Sequence, residues 1–98
     1  MTVRKTNDKP LSEALKEMLH AFHLDKKFRQ KQLIASWEKI MGKSVANRTT
    51  SIRFSDKKLF VYLNSSPLRE ELFNSRDKIR QMLNEEAGAD VVEEIVFT

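Results

Sequence analysis

The hydropathy period of this chain changes near residue 50 and again after residue 65, and these two changes limit the fold more than any other feature. Up to residue 41 the apolar residues recur at helical spacing. From Thr50 they alternate. Thr50, Ile52 and Phe54 interleave with Ser51 and Arg53; past the polar turn Ser55-Asp56-Lys57-Lys58, Leu59, Val61 and Leu63 interleave with Phe60, Tyr62 and Asn64. Two alternating runs around a short turn predict an antiparallel hairpin. Beyond Ser65-Ser66-Pro67 the helical period returns, and the β-branched, alternating segment Val91 to Phe97 predicts a third strand.

The helical stretches divide at recognisable signals. Pro10 and Ser12 sit where a helix starts, and Leu11, Ala14, Leu15, Met18, Leu19 and Phe22 share one face. His23-Leu24-Asp25 is expected to break or bend the chain. A second helix is expected from Lys26 to Met41, with Leu33, Ile34, Trp37, Ile40 and Met41 inward and Gly42 as its stop. In the third, Ser66 is the expected cap and Pro67 lies in the first turn. Leu68, Leu72, Ile79, Met82, Leu83 and Ala87 form its stripe, and Gly88 ends it.

The resulting order is helix, helix, strand, strand, helix, strand. That is an α+β chain with a three-stranded sheet and the helices packed on one face. The inward set is expected to be Ile52, Phe54, Leu59, Val61, Leu63, Ile95 and Phe97. The length, 98 residues, suits one domain, here 10–98, preceded by a flexible basic arm over 1–9.

Composition narrows the chemistry. The absence of cysteine excludes disulfides, thiolate zinc sites and thiol nucleophiles, and fits a cytoplasmic protein. With glycine only at positions 42 and 88, no glycine-rich phosphate loop can form, and no nucleophile elbow is present. The expectation is no enzyme, no cofactor, no metal and no small-molecule substrate. No apolar run is long enough to span a membrane. Glu17, His20 and His23 are spaced by three on a helix, but two imidazoles near the expected helix end need no metal to be favourable.

Charge is uneven. Residues 1–58 hold 14 Lys/Arg against 6 Asp/Glu, a net +8, whereas residues 59–98 hold 4 against 8, a net −4. Such a layout steers an anionic partner to one side. The candidate nucleic-acid contacts are Lys26, Lys27, Arg29 and Lys31, with Arg48, Arg53, Lys57 and Lys58 on and around the hairpin. The candidate partner contacts are Phe60 and Tyr62 together with Arg69, Phe73, Arg76 and Arg80 on the third helix. Cations around rings suit single-stranded nucleic acid, where charge follows the backbone and rings stack on bases. The same residues also suit a protein interface.

Trp37-Glu38-Lys39-Ile40-Met41-Gly42 resembles the Trp-x-x-Ile-x-Gly signature of the DciA family. The stretch Lys58-Leu59-Phe60-Val61-Tyr62-Leu63-Asn64-Ser65-Ser66-Pro67-Leu68-Arg69-Glu70-Glu71-Leu72 is similar to a second family signature, in the form carried by its short members. Leu83-Asn84, Gly88 and the closing Val-rich strand also match, so the resemblance covers about residues 11–98. It implies a KH-like domain that acts without catalysis, binding the replicative DNA helicase and single-stranded DNA to assist helicase loading or activity. The Gly-x-x-Gly loop of RNA-binding KH domains is missing, so binding must use another surface. The alternative is a protein–protein adaptor with no nucleic-acid role.

Overall fold

The computed structural model describes residues 11–98, and for Leu11 the backbone only. The expected arm over 1–9 lies outside the described residues. The elements are α1 (Leu11–Ala35), α2 (Trp37–Met41), α3 (Lys43–Arg48), β1 (Thr49–Ser55), β2 (Lys58–Leu63), α4 (Ser66–Asn74), α5 (Arg76–Ala87) and β3 (Glu94–Phe97). The α+β class and the coarse order of helices and strands are as the sequence predicts.

β2 is the central strand of a mixed sheet ordered β1-β2-β3. It runs antiparallel to β1, with Ile52 opposite Val61 and Phe54 opposite Leu59. It runs parallel to β3, with Leu59 opposite Ile95 and Val61 opposite Phe97. Because side chains alternate across a strand, Leu59, Val61, Leu63, Ile95 and Phe97 fall on one face. All five are buried, together with Leu33, Trp37, Leu72, Ile79 and Leu83 from the helices. Ile52 and Phe54, on the edge strand, are half-buried and pack against this core. The expected inward set is therefore the sheet's contribution to the core.

Several boundaries differ from the sequence reading. Helix α1 does not break at His23-Leu24-Asp25. Nothing there opposes a helix, and Asp25 accepts from Arg29 Nε at 2.9 Å across one turn. The break comes at Ser36 (φ −96, ψ 6), where the chain turns Trp37 into the core. Trp37 Nε1 donates to Thr49 Oγ1 (3.0 Å), whose hydroxyl donates on to the Val45 carbonyl (2.8 Å). Gly42, at φ 91, ends α2 as expected, but a further short helix, α3, follows it.

The third predicted helix is two, α4 and α5, meeting at Ser75 (φ −106, ψ 17). The cap of α4 is Ser65, one residue earlier than expected; its hydroxyl accepts from Leu68 N at 3.3 Å. The last strand begins at Glu94 rather than Val91. Val91 and Val92 are buried outside the sheet. They are held by Asn84, whose Oδ1 accepts from both their backbone N–H groups and whose Nδ2 donates to the Val92 carbonyl.

Two joints fix α1 to this body. At the hairpin turn, Asp56 takes φ 58, a left-handed conformation that aspartate tolerates. Lys26 Nζ reaches its carboxylate at 3.1 Å, and Gln30, a buried polar residue, donates to its carbonyl at 2.7 Å. At the far end of α5, Arg29 donates to the Ala87 carbonyl. Gly88 closes α5 in a left-handed conformation (φ 74, ψ 17), donating to Asn84 and Glu85 carbonyls. A Cβ there would meet Arg29 Nη1 at 3.4 Å. Gly88→Ala is therefore expected to destabilise the domain by about 1 kcal/mol, chiefly through the φ penalty, seen as a lower urea midpoint at constant m.

The first half of α1 projects from the body, with Phe22 and Asp25 at its margin bordering a recess against Ala89, Asp90 and Val91. Residues 12–25 are all exposed. Leu15, Met18, Leu19 and Phe22, which the spacing assigns to a core-facing stripe, are 48%, 61%, 57% and 75% exposed. The periodicity is that of a buried face, but among the described residues nothing covers it.

Candidate nucleic-acid interface

The eight candidate cations do not form one face. Arg53 and Lys58 lie on the outer face of the sheet, opposite the core, because they alternate with Ile52, Phe54 and Leu59. Phe60 and Tyr62 share that face. Arg53 stands opposite Phe60 in the ladder. Its guanidinium lies 5.4 Å from the Phe60 ring centre and 5.8 Å from that of Tyr62. Its Nε and Nη2 both donate to the Tyr62 hydroxyl, at 3.1 and 3.0 Å. Lys58 is 3.7 Å from Glu94 on β3, with both side chains open to solvent. Two cations and two rings, the latter read from the sequence as partner contacts, thus form a single patch. Cation–π contact of this kind contributes about 0.5–1 kcal/mol at an exposed site.

A second group surrounds the root of the projecting helix. Lys26, Arg29 and Lys57 line a recess of about 410 Å³ with Phe22, Asp25, Ala89, Asp90 and Val91. Lys26 and Arg29 are already engaged there, with Asp56, Asp25 and the Ala87 carbonyl, so they fasten α1 to the body. Lys27 and Lys31 stay exposed on α1. Arg48 is exposed at the end of α3, where its carbonyl accepts from Asn64 N at 3.0 Å, far from the hairpin turn.

The partner candidates on α4 and α5 also separate. Arg69 is half-buried and donates to the Leu63 carbonyl (3.0 Å) and Ser66 Oγ (3.2 Å), which ties α4 to the end of β2. The corner at Ser75 divides it from the other two arginines. Phe73 is 49% exposed and carries the Arg76 guanidinium 4.1 Å from its ring centre. Arg76 also donates to the Phe73 carbonyl at 2.9 Å. Phe73, Arg76 and Arg80 line a groove of about 250 Å³ against Glu93, Glu94 and the β3 edge.

One grouping missed in the sequence had a readable signal. With Ser55 opposite Lys58, counting outward from the turn sets Arg53 against Phe60, which joins the two lists of candidates. The covering of Val91 and Val92 by Asn84 had no local signal. Among the described residues no three His, Cys, Asp or Glu side chains come together as a metal site, and His20 and His23 are both exposed.

The chain matches the family described as Dna[CI] antecedent, DciA, over residues 10–97. No curated protein matches it.

Proposed function

The chain belongs to the DciA family, and from that premise we propose that it is a non-enzymatic replication module that binds single-stranded DNA and contacts the replicative DNA helicase to assist its loading or activity. The family is one of loaders and adaptors, not a known enzyme class. A replication role fits a cytoplasmic protein. Among the described residues no helix is long and apolar enough to cross a membrane. A KH-like description fits the same reading, since two helices meeting at Ser75 connect β2 to a parallel β3. That corner, Phe73-Asn74-Ser75-Arg76, carries no glycine.

The observation that carries the DNA reading is the outer sheet patch of Arg53, Lys58, Phe60 and Tyr62. Bases stack on aromatic rings and on guanidinium planes, and the two cations reach phosphates. Single-stranded DNA is expected to bind with an affinity that falls as salt rises, because each neutralised phosphate releases a counterion. Arg53→Glu with Lys58→Glu should weaken binding by about tenfold or more and flatten the salt slope by between one and two. Fluorescence anisotropy of a labelled oligonucleotide reads both. Lys27→Glu with Lys31→Glu tests α1 without disturbing the Lys26 and Arg29 joints. Loss of binding in that variant alone would move the interface to α1. Absence of salt-dependent binding in the wild type would remove DNA from the function and leave the adaptor reading, which the exposed Phe73–Arg76 stack favours.

A further inference from the structure

We infer, on the DNA reading of the outer sheet patch, that Glu94 restrains that patch by competing with phosphate for Lys58. The ladder orders the outer face in rows. Ser55, Lys58 and Glu94 stand side by side, then Arg53, Phe60 and Val96, then Ser51 and Tyr62. Charge therefore changes sign from one edge of the sheet to the other. On this face β1 carries Arg53, β2 carries Lys58 and the two rings, and β3 carries Glu94 with no cation.

The two cations differ in what they already hold. Arg53 donates to the Tyr62 hydroxyl, a neutral oxygen, and among the described residues it has no ion pair. Its charge is open to an arriving phosphate. Lys58 has the Glu94 carboxylate at 3.7 Å, with the two side chains 54% and 58% exposed. A pair this exposed adds little to stability. It still decides which anion the lysine meets first, because a phosphate arriving at Lys58 must displace the carboxylate or sit beside it.

The fold sets this competition. Glu94 stands directly opposite Lys58 in the parallel ladder. Neighbouring strands lie about 4.8 Å apart, so the carboxylate stays within reach of the ammonium. Glu93 is placed differently: it precedes the strand and lines a recess with Arg80, Asn84 and Asp90. Glu94 thus makes β3 a negative border, and the backbone of a bound strand runs on the β1 side, past Arg53. Lys58 contributes to binding only to the extent that phosphate displaces its own carboxylate.

Fluorescence anisotropy of a labelled single-stranded oligonucleotide, followed through a salt titration, tests this on the full chain. Glu94→Gln keeps the size of the side chain and removes its charge. It should tighten binding by about fivefold, the effect of one unit charge at about 4 Å in water. The salt slope should steepen by about 0.7, one further phosphate neutralised on a single strand. The thermal midpoint should not rise, so the gain cannot come from a firmer fold. In a Lys58→Gln background the same substitution should gain less than about twofold, because the cation it releases is gone. Glu93→Gln removes the same charge one residue away and should also change binding by less than about twofold. Unchanged or weaker binding by Glu94→Gln overturns the inference. Equal gains with and without Lys58, or an equal gain from Glu93→Gln, overturn it too, since they reduce the effect to net charge. A wild-type chain without salt-dependent binding removes the DNA reading and this inference with it. That result is read on the wild type alone, so the two failures stay distinct.

Discussion

Asn84→Ala is expected to lower the unfolding free energy by about 3 kcal/mol, a large share of the 5–15 kcal/mol typical of a domain this size. The side chain makes three hydrogen bonds to the buried Val91–Val92 backbone, at 2.9–3.0 Å. Val91 N has a second acceptor, the Ala89 carbonyl at 3.0 Å, so the damage falls mainly on Val92. Alanine leaves the Val92 N–H and C=O without these partners in a place water reaches poorly, and each such group costs about 1–3 kcal/mol. The thermal midpoint should fall by about 15 °C. Asn84→Asp keeps the acceptor for the two N–H groups but sets a carboxylate oxygen against the Val92 carbonyl, so it should also destabilise. A shift below about 1 kcal/mol for alanine would mean that the Val91–Val92 segment is held by apolar packing alone. The effect bears on function because this segment leads into β3, whose edge forms one wall of the Phe73–Arg76–Arg80 groove.

The strands and the core were legible because period two is a local property. Ile52, Phe54, Leu59, Val61 and Leu63 announce their face without reference to anything distant, and the structure keeps every one on the inner side. Helix ends were less legible. At Ser36 and Ser75 the chain bends because tertiary packing turns Trp37 and α5 into position, and serine is compatible with a helix or a bend. Conversely, His23-Leu24-Asp25 looked like a break, yet the Asp25–Arg29 pair carries the helix through it. The α1 stripe shows the other limit. Periodicity reports that a face is apolar, not what covers it. The candidate cations were legible as a class but not as a set. Lys26, Arg29 and Arg69 turn out to fasten elements together, whereas Arg53 and Lys58 share a face with Phe60 and Tyr62. The hairpin register sets Arg53 against Phe60, whereas the fastening roles come from contacts between the helices and the rest of the body that no local pattern announces.

The second large effect is expected at the groove beside β3. If the helicase contact uses the exposed Phe73 ring and its stacked arginine, Arg76→Glu with Arg80→Glu should reduce capture of the cognate helicase by about 100-fold or more. Arginine and aromatic anchors commonly account for about 2 kcal/mol each at an interface, and reversal adds repulsion. The fold should survive. Arg76 is exposed, and its hydrogen bond to Phe73 O, at 2.9 Å, lies on the surface. Phe73→Ala should have a comparable effect without changing charge, which separates loss of the ring from loss of electrostatic steering. The charge variant should slow association and the ring variant should speed dissociation. Arg69→Glu is unsuitable as a probe, because Arg69 secures α4 to the Leu63 carbonyl and its Nε is buried. Surface plasmon resonance against immobilised helicase reads both rates. Unchanged capture by folded variants would show that the groove is not the helicase contact. Absence of capture by the wild type would instead make the adaptor reading, with a different partner on this groove, the first to pursue.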